Sequence, residues 1–309
     1  QAPSPPYRGS LSRRGRQGVY KRSLSMEIIR AKTAGFCFGV DRAVKLTYDL
    51  LAQGRKVATL GPLIHNAQVV ADLEAKGAVT CPDIDAVPDG YEVIIRSHGV
   101  PRSVYDKIST RSLAYHDATC PFVKKIHRLV EEKSKEGYQI VIAGNPVHPE
   151  VVGIVGWSTD GASVVKDAEE AQKLVLDPKK PVFVAAQTTF HYIKFQNIVD
   201  QLEKKEYNIN CVNTICNATR NRQEEAASLA ASVDGMLVIG GSHSSNTQKL
   251  FEICKKECNN THYIQTAEDL DTNWFLTADR VGVTGGASTP NIIIEEVLHH
   301  VRRIRTIIK

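Results

Sequence analysis

Three short apolar runs set the frame of the chain: 57–60, 140–143 and 236–239, each stopping at a glycine (Gly61, Gly144, Gly240). A second set, 93–95, 182–185 and 281–283, is apolar without alternation. That is the pattern of strands covered on both faces in a parallel sheet. Ahead of each run in the first set lies a segment with helical periodicity. In 40–53, Val44, Leu46 and Leu50 face a core while Asp41, Arg42, Lys45 and Asp49 form a polar side. The other two segments run to Gly137 and to about Ser232. The pattern predicts one α/β unit written three times.

Each of these helical segments is entered through a cysteine: Cys37, Cys120 and Cys216, spaced 83 and 96 residues apart. Pro121 after Cys120 suits a first helical position, where its missing N–H costs nothing. A polar turn over 116–120 is expected to lead into it. At a helix N-terminus the dipole favours thiolate, so three thiolates are expected. The loop residues His65, His148 and Ser244 each follow their cysteine by 28 residues and their glycine by four. Other polar residues follow the second set of strands: Ser97-His98-Gly99, Gln187-Thr188-Thr189 and Gly285-Gly286-Ala287-Ser288. All fall just past strand C-termini, where open parallel sheets bind ligands.

The expected fold is therefore α/β, three pseudo-repeated units with small, mostly parallel sheets around a common centre. The strand preceding each cysteine should join the sheet of the preceding unit. Residues 26–38 would then supply an N-terminal strand to the third unit, closing a ring. The units are set at 39–120, 121–215 and 216–309, the last including a C-terminal helix.

Composition changes this picture little. The formal charge of +5 owes six basic residues to 1–25, which contain no acid, leaving −1 on the remainder. That near-neutral body lacks the basic face a nucleic-acid partner needs. No apolar run reaches the ~20 residues of a membrane span. Residues 1–25, rich in Ser, Pro, Gly and Arg, are expected to be an unstructured extension, with Met26 as a natural start. A plastid transit peptide is the alternative to a cytoplasmic protein. Seven cysteines, an odd number, argue for a reducing compartment and against a disulfide framework. Cys254 and Cys258 are taken as ordinary thiols.

Three cysteines from three units, without close C-x₂-C pairs, do not suit structural zinc. A [4Fe–4S] cluster is normally held by four cysteines. Held by three, it leaves one iron open for Lewis-acid and redox chemistry. Three structural core cysteines are the plain alternative. The loop set His65, His98, His148, Thr188, Ser244, Ser245, Asn246 and Ser288 supplies hydroxyl, amide and imidazole donors, a cradle suited to phosphate. Arg96 is the one fixed cation there, so protonated histidine is expected to share the work. Glu150 is the one carboxylate, and a raised pKa would make it a proton donor.

Taken in order, nine motifs resemble one family, the 4-hydroxy-3-methylbut-2-enyl diphosphate reductases (IspH/LytB). They are Gly35-Phe36-Cys37-Phe38-Gly39-Val40-Asp41-Arg42-Ala43, His65-Asn66, Ser97-His98-Gly99-Val100, Asp117-Ala118-Thr119-Cys120-Pro121, His148-Pro149-Glu150-Val151, Gln187-Thr188-Thr189, Thr219-Arg220-Asn221-Arg222-Gln223, Ser244-Ser245-Asn246 and Gly282-Val283-Thr284-Gly285-Gly286-Ala287-Ser288. The likeness covers about residues 26–305. It implies a [4Fe–4S] cluster ligated by Cys37, Cys120 and Cys216. It further implies an allylic diphosphate held by His65, His98, Ser244, Asn246 and Ser288, with His148 nearby. Glu150 would supply the proton and Thr188 would help hold the substrate hydroxyl. The implied reaction is reductive dehydroxylation to isopentenyl and dimethylallyl diphosphates, fed by a separate ferredoxin- or flavodoxin-type carrier.

Two other readings stand beside it. One is an Fe–S dehydratase or radical enzyme of another small phosphate, which needs the cysteines but not the Glu150–Thr188 pair. The other is an iron–sulfur redox sensor, which binds no diphosphate.

Overall fold

The computed structural model describes residues 26–303, so the extension expected at 1–25 lies outside the described residues. The chain opens with β1 (Glu27–Arg30). The first unit runs α1 (Phe38–Ala52), β2 (Val57–Leu60), α2 (Ala67–Ala75), β3 (Val79–Cys81), β4 (Glu92–Ile95), α3 (Arg102–Thr110) and β5 (Tyr115–Asp117). The second runs α4 (Pro121–Lys135), β6 (Gln139–Ala143), α5 (Pro149–Val155), β7 (Ala162–Val165), α6 (Ala168–Lys173), β8 (Val182–Ala186), α7 (Tyr192–Glu203) and β9 (Ile209–Val212). The third runs α8 (Asn217–Ala230), β10 (Gly235–Ile239), α9 (Ser245–Glu257), β11 (Thr261–Ile264), β12 (Arg280–Gly285) and α10 (Asn291–Arg303).

These strands form three four-stranded sheets in the orders β3-β2-β4-β5, β7-β6-β8-β9 and β11-β10-β12-β1. Every pairing is parallel. The middle strands are the apolar runs of the sequence. Alternate side chains of one strand enter opposite faces, and both faces are covered. In the second sheet, Val141, Val182 and Val184 pack on Phe195, Ile198 and Leu202 of α7. Ile140, Ile142 and Phe183 pack on Ile126 and Val130 of α4 and Ile154 of α5. Burying each such side chain contributes about 1.5–3 kcal/mol.

The repeat is visible in single hydrogen bonds. The amides of Gly61, Gly144 and Gly240 donate to Cys81, Val165 and Ile264 at 2.7, 2.9 and 3.0 Å, anchoring the loop after each first strand to its edge strand. The amides of Cys120, Cys216 and Cys37 donate to Ser97, Thr188 and Ala287 at 3.0, 3.2 and 3.1 Å. Each cysteine is thus tied to the loop after the second buried strand of the sheet before it. For Cys37 that sheet is the third, because β1 pairs with β12, Glu27 opposite Arg280.

Two local expectations differ. Residues 115–117 form the edge strand β5, which the repeat places ahead of Cys120 where the local sequence suggested a polar turn. Its sequence, Tyr-His-Asp, is polar because an edge strand is only partly covered. Each sheet also carries an opposite edge strand (β3, β7, β11) that hydrophobic pattern did not single out, since these are three or four residues long and half-buried. Cys254 and Cys258 lie in the core beside the carbonyls of Ala226 and Val233, as ordinary thiols.

Candidate active site

The three sheets aim their C-terminal ends at one cavity. Its walls include Cys37, Cys120 and Cys216; His65, His98 and His148; Glu150 and Thr188; and Ser244, Ser245, Asn246 and Ser288. The structure therefore brings together every residue picked out from the sequence as a candidate.

The cysteines are the N-caps of α1, α4 and α8. Helix starts meet closely here: a Cβ on Gly39 would stand 2.7 Å from Cys120 Sγ, so a side chain there would displace that sulfur. The Cys216 thiol bonds Thr219 Oγ1 at 3.2 Å and accepts the Thr219 amide at 3.4 Å. At Cys120 and Cys216 the environment by itself does not favour the expected thiolate. Burial pushes the Cys120 thiol up to about 11, against the pull of the Phe122 and Val123 amides, and Cys37 and Cys216 add to the rise. Burial likewise raises Cys216. At Cys120 and Cys216 the helix dipole loses because desolvation costs more than the helix end returns. A cation at the centre would reverse that balance, since a coordinating thiol is deprotonated outright. Three such sulfurs, with no disulfide among them, are a donor set that fits a thiolate-ligated metal group.

Beside them the three imidazoles form a tight triangle, with ring centroids 4.6 Å (His65–His98), 5.3 Å (His65–His148) and 5.6 Å (His98–His148) apart. His148 caps α5 by accepting the Glu150 amide on Nδ1 at 3.1 Å. A neutral ring then carries its proton on Nε2. The expectation of protonated histidines is corrected: burial, then the Arg96 and His243 charges, hold His65 down to about 4. Burial, His65 and Arg96 bring His148 down to about 3, and burial, His65, His148 and Arg96 hold His98 well below its usual value. Neutral imidazoles donate one N–H each, and an arriving anion would favour further protonation. His65 Nε2, His98 Nδ1 and Asn246 Nδ2 are buried with no partner. Such unpaired groups cost roughly 1–3 kcal/mol each, which an anionic ligand would recover. Asn246 is held in place by the Ala287 amide, which donates to its Oδ1 at 2.9 Å. Ser288 Oγ donates to the His65 carbonyl at 3.2 Å. Ser244 caps α9, accepting from Thr247. Ser245 accepts from Thr189 Oγ1 at 3.2 Å.

Glu150 is 3 % exposed. Its carboxyl accepts the Thr188 amide at 2.6 Å and the Thr188 hydroxyl at 2.8 Å. Burial raises it to about 7 in spite of those two bonds. A carboxyl in that range exchanges protons near neutral pH.

The LytB protein family model matches residues 28–302. The chain belongs to the LytB family. It is 46 % identical over 274 residues to the 4-hydroxy-3-methylbut-2-enyl diphosphate reductase of Clostridioides difficile (strain 630), covering 88 % of this chain and 98 % of that protein. It is 44 % identical over 277 residues to the same-named enzyme of Geobacter sulfurreducens, covering 90 % and 97 %. Among solved structures, the E-1-hydroxy-2-methyl-but-2-enyl-4-diphosphate reductase of Plasmodium falciparum superposes with a TM-score of 0.84 at 29 % identity, over 89 % of this chain and 87 % of that one. A second, described as (E)-4-hydroxy-3-methyl-but-2-enyl diphosphate reductase, the terminal enzyme of the non-mevalonate pathway, matches with 0.64 at 40 % identity over 90 % and 99 %.

In this LytB chain, one residue of the site had no assigned role in the sequence reading: Arg222. It is buried at the cavity wall and donates to the carbonyls of Gly285 at 2.6 Å and Gly35 at 2.9 Å. It ties α8 to the two loops that meet across the β1–β12 seam. A signal was present. Thr219, Arg222, Gln223 and Ala226 fall at helical spacing on the buried face of α8, and an arginine there is out of place in a plain core.

Proposed function

We propose that this chain reduces 4-hydroxy-3-methylbut-2-enyl diphosphate to isopentenyl and dimethylallyl diphosphates, the last step of the non-mevalonate isoprenoid pathway. The observation that carries it is the shared cavity of three cysteines, three histidines and the Glu150–Thr188 pair. The relatives over nine-tenths of the chain support it. Cys37, Cys120 and Cys216 would hold a [4Fe–4S] cluster, which when bound supplies single electrons and an open Lewis-acidic iron.

The protein's own residues do the remainder. The diphosphate is held by the imidazoles of His65 and His98, the free amide of Asn246, and the hydroxyls of Ser244, Ser245 and Ser288, with His148 alongside. Thr188, fixed to Glu150, orients the substrate hydroxyl. Glu150 gives a proton to the departing oxygen, which leaves as water. A redox sensor needs no such buried proton donor beside an anion cradle, so the enzyme reading is preferred.

No helix among the described residues is long and apolar enough to cross a membrane. We place the enzyme in a reducing, cytoplasmic setting, with electrons from a ferredoxin- or flavodoxin-type carrier. The deciding experiment is anaerobic purification, iron and sulfide analysis, and turnover of the allylic diphosphate with a reduced dye. Protein that holds the cluster yet neither binds the diphosphate nor forms either product would overturn the proposal.

A further inference from the structure

Resting on the cluster ligation by Cys37, Cys120 and Cys216, we infer that Arg222 is the buried counter-charge of the metal centre and sets how readily that centre takes up an electron. Arg222 is 3 % exposed, and it is the one lysine or arginine among the residues lining the cysteine cavity. A fixed charge in a dry interior is costly unless an opposite charge meets it. Its terminal nitrogens donate only to the carbonyls of Gly285 and Gly35, and its Nε is buried without a partner. Glu225, on the same helix, is spent elsewhere. Its carboxylate accepts the amides of Lys32 at 2.7 Å and Thr33 at 2.8 Å, and the Thr33 hydroxyl, in the loop ahead of Cys37.

The counter-charge is therefore sulfur. Burial pulls the guanidinium below its ordinary value, and the groups opposing that fall are Cys37 first, then Cys216, with Glu225 last. Arginine stays protonated even so. Without metal the fold buries this cation against thiols; thiolates bound at the centre turn the same placement into an attraction. The consequence is electronic. Uptake of one electron from an outside donor breaks no protein bond and adds one negative charge to the centre. A cation held in low dielectric stabilises the more negative state more, and so raises the reduction potential. Holding the Cys37 loop is a separate matter. Arg222 does so through Gly35 and Glu225 through Lys32 and Thr33, but only Arg222 brings a positive charge to the cavity wall.

The test is a potentiometric titration of anaerobically loaded protein, followed by visible absorption and electron paramagnetic resonance. Arg222→Gln should make the centre harder to reduce, by about tenfold in the reduction equilibrium, which is about 59 mV for one electron. Arg222→Lys keeps the charge and should stay near the parent at neutral pH. A buried lysine titrates where arginine does not, so above neutral pH its potential should fall more steeply than the parent's. Glu225→Gln loosens the same loop and leaves the cation, so its potential should be no lower than the parent's even where cluster content drops. An unchanged potential in Arg222→Gln, or an equal fall in Glu225→Gln, would overturn the assignment. If Arg222→Gln holds no cluster, Arg222→Lys decides: a potential that follows the parent's at every pH, or no cluster there either, would show that the bonds and not the charge matter, and would overturn it too. Parent protein that holds no iron and sulfide would instead overturn the cluster ligation itself.

Discussion

Thr188 engages both oxygens of Glu150, its amide on Oε1 and its hydroxyl on Oε2. Both bonds favour the ionised form, and burial still holds the carboxyl at about 7. Thr188→Val keeps the amide and removes the hydroxyl. The carboxyl should climb higher, moving the alkaline fall of kcat/KM to higher pH. Turnover should drop on the order of tenfold as substrate orientation is lost. A pH profile of the variant checks both.

Glu150→Gln keeps the shape and removes the proton. Turnover should fall by about 10²–10⁴ with the substrate still bound and the alkaline limb gone. Stability should change in a defined sense. A carboxyl raised from 4.5 to about 7 by burial stabilises the fold below the lower value, and that contribution disappears as pH rises through the higher one. The glutamine variant should therefore gain in melting temperature relative to the parent above pH ~7, and lose that gain below pH ~4.5.

The histidine triangle predicts an absence in the pH profile. Free His65 and His148 are held down to about 4 and about 3. kcat/KM, which reports the free enzyme, should show no acid limb near the ordinary imidazole value of about 6.5. A break there would show protonated rings in the empty cradle.

Asn246 offers one engaged atom and one free one. Asn246→Asp retains the acceptor for the Ala287 amide and puts a carboxylate oxygen where Nδ2 stood. KM for the diphosphate should rise at least about tenfold, while the melting temperature moves little.

Gly39→Ala tests the meeting of helix starts. Its methyl would intrude to 2.7 Å of Cys120 Sγ, so that sulfur must move. Iron content and visible absorption after anaerobic reconstitution should fall well below the parent, with far-ultraviolet dichroism retained. Cys120→Ser should lose them altogether.

Much of this was legible before any coordinates. The 28-residue offset from cysteine to loop residue marked equivalent positions in three units, and equivalent positions in a ring share a centre. The buried strands announced themselves as unbroken apolar runs. What could not be read depends on neighbours distant in sequence. The raised pKa of the Cys120 thiol reflects exclusion of water first and crowding by Cys37 and Cys216 second, and neither is legible from the local sequence. Arg222 gained its meaning only when Gly35 and Gly285 proved to be adjacent. The edge strand β5 could be placed before Cys120 only from the repeat, because its three residues carry no hydrophobic periodicity of their own.

The pairing of Glu27 with Arg280 has a consequence for biosynthesis. As the polypeptide leaves the ribosome, its earliest strand waits for almost the whole molecule to be translated before a partner exists, the kind of distant closure that slows folding. Cys37 bonds Ala287 from the end of that seam. On the proposed cluster ligation, loading would be a late event, and a nascent or truncated chain lacking the last sheet would present two sulfurs where the finished one presents three.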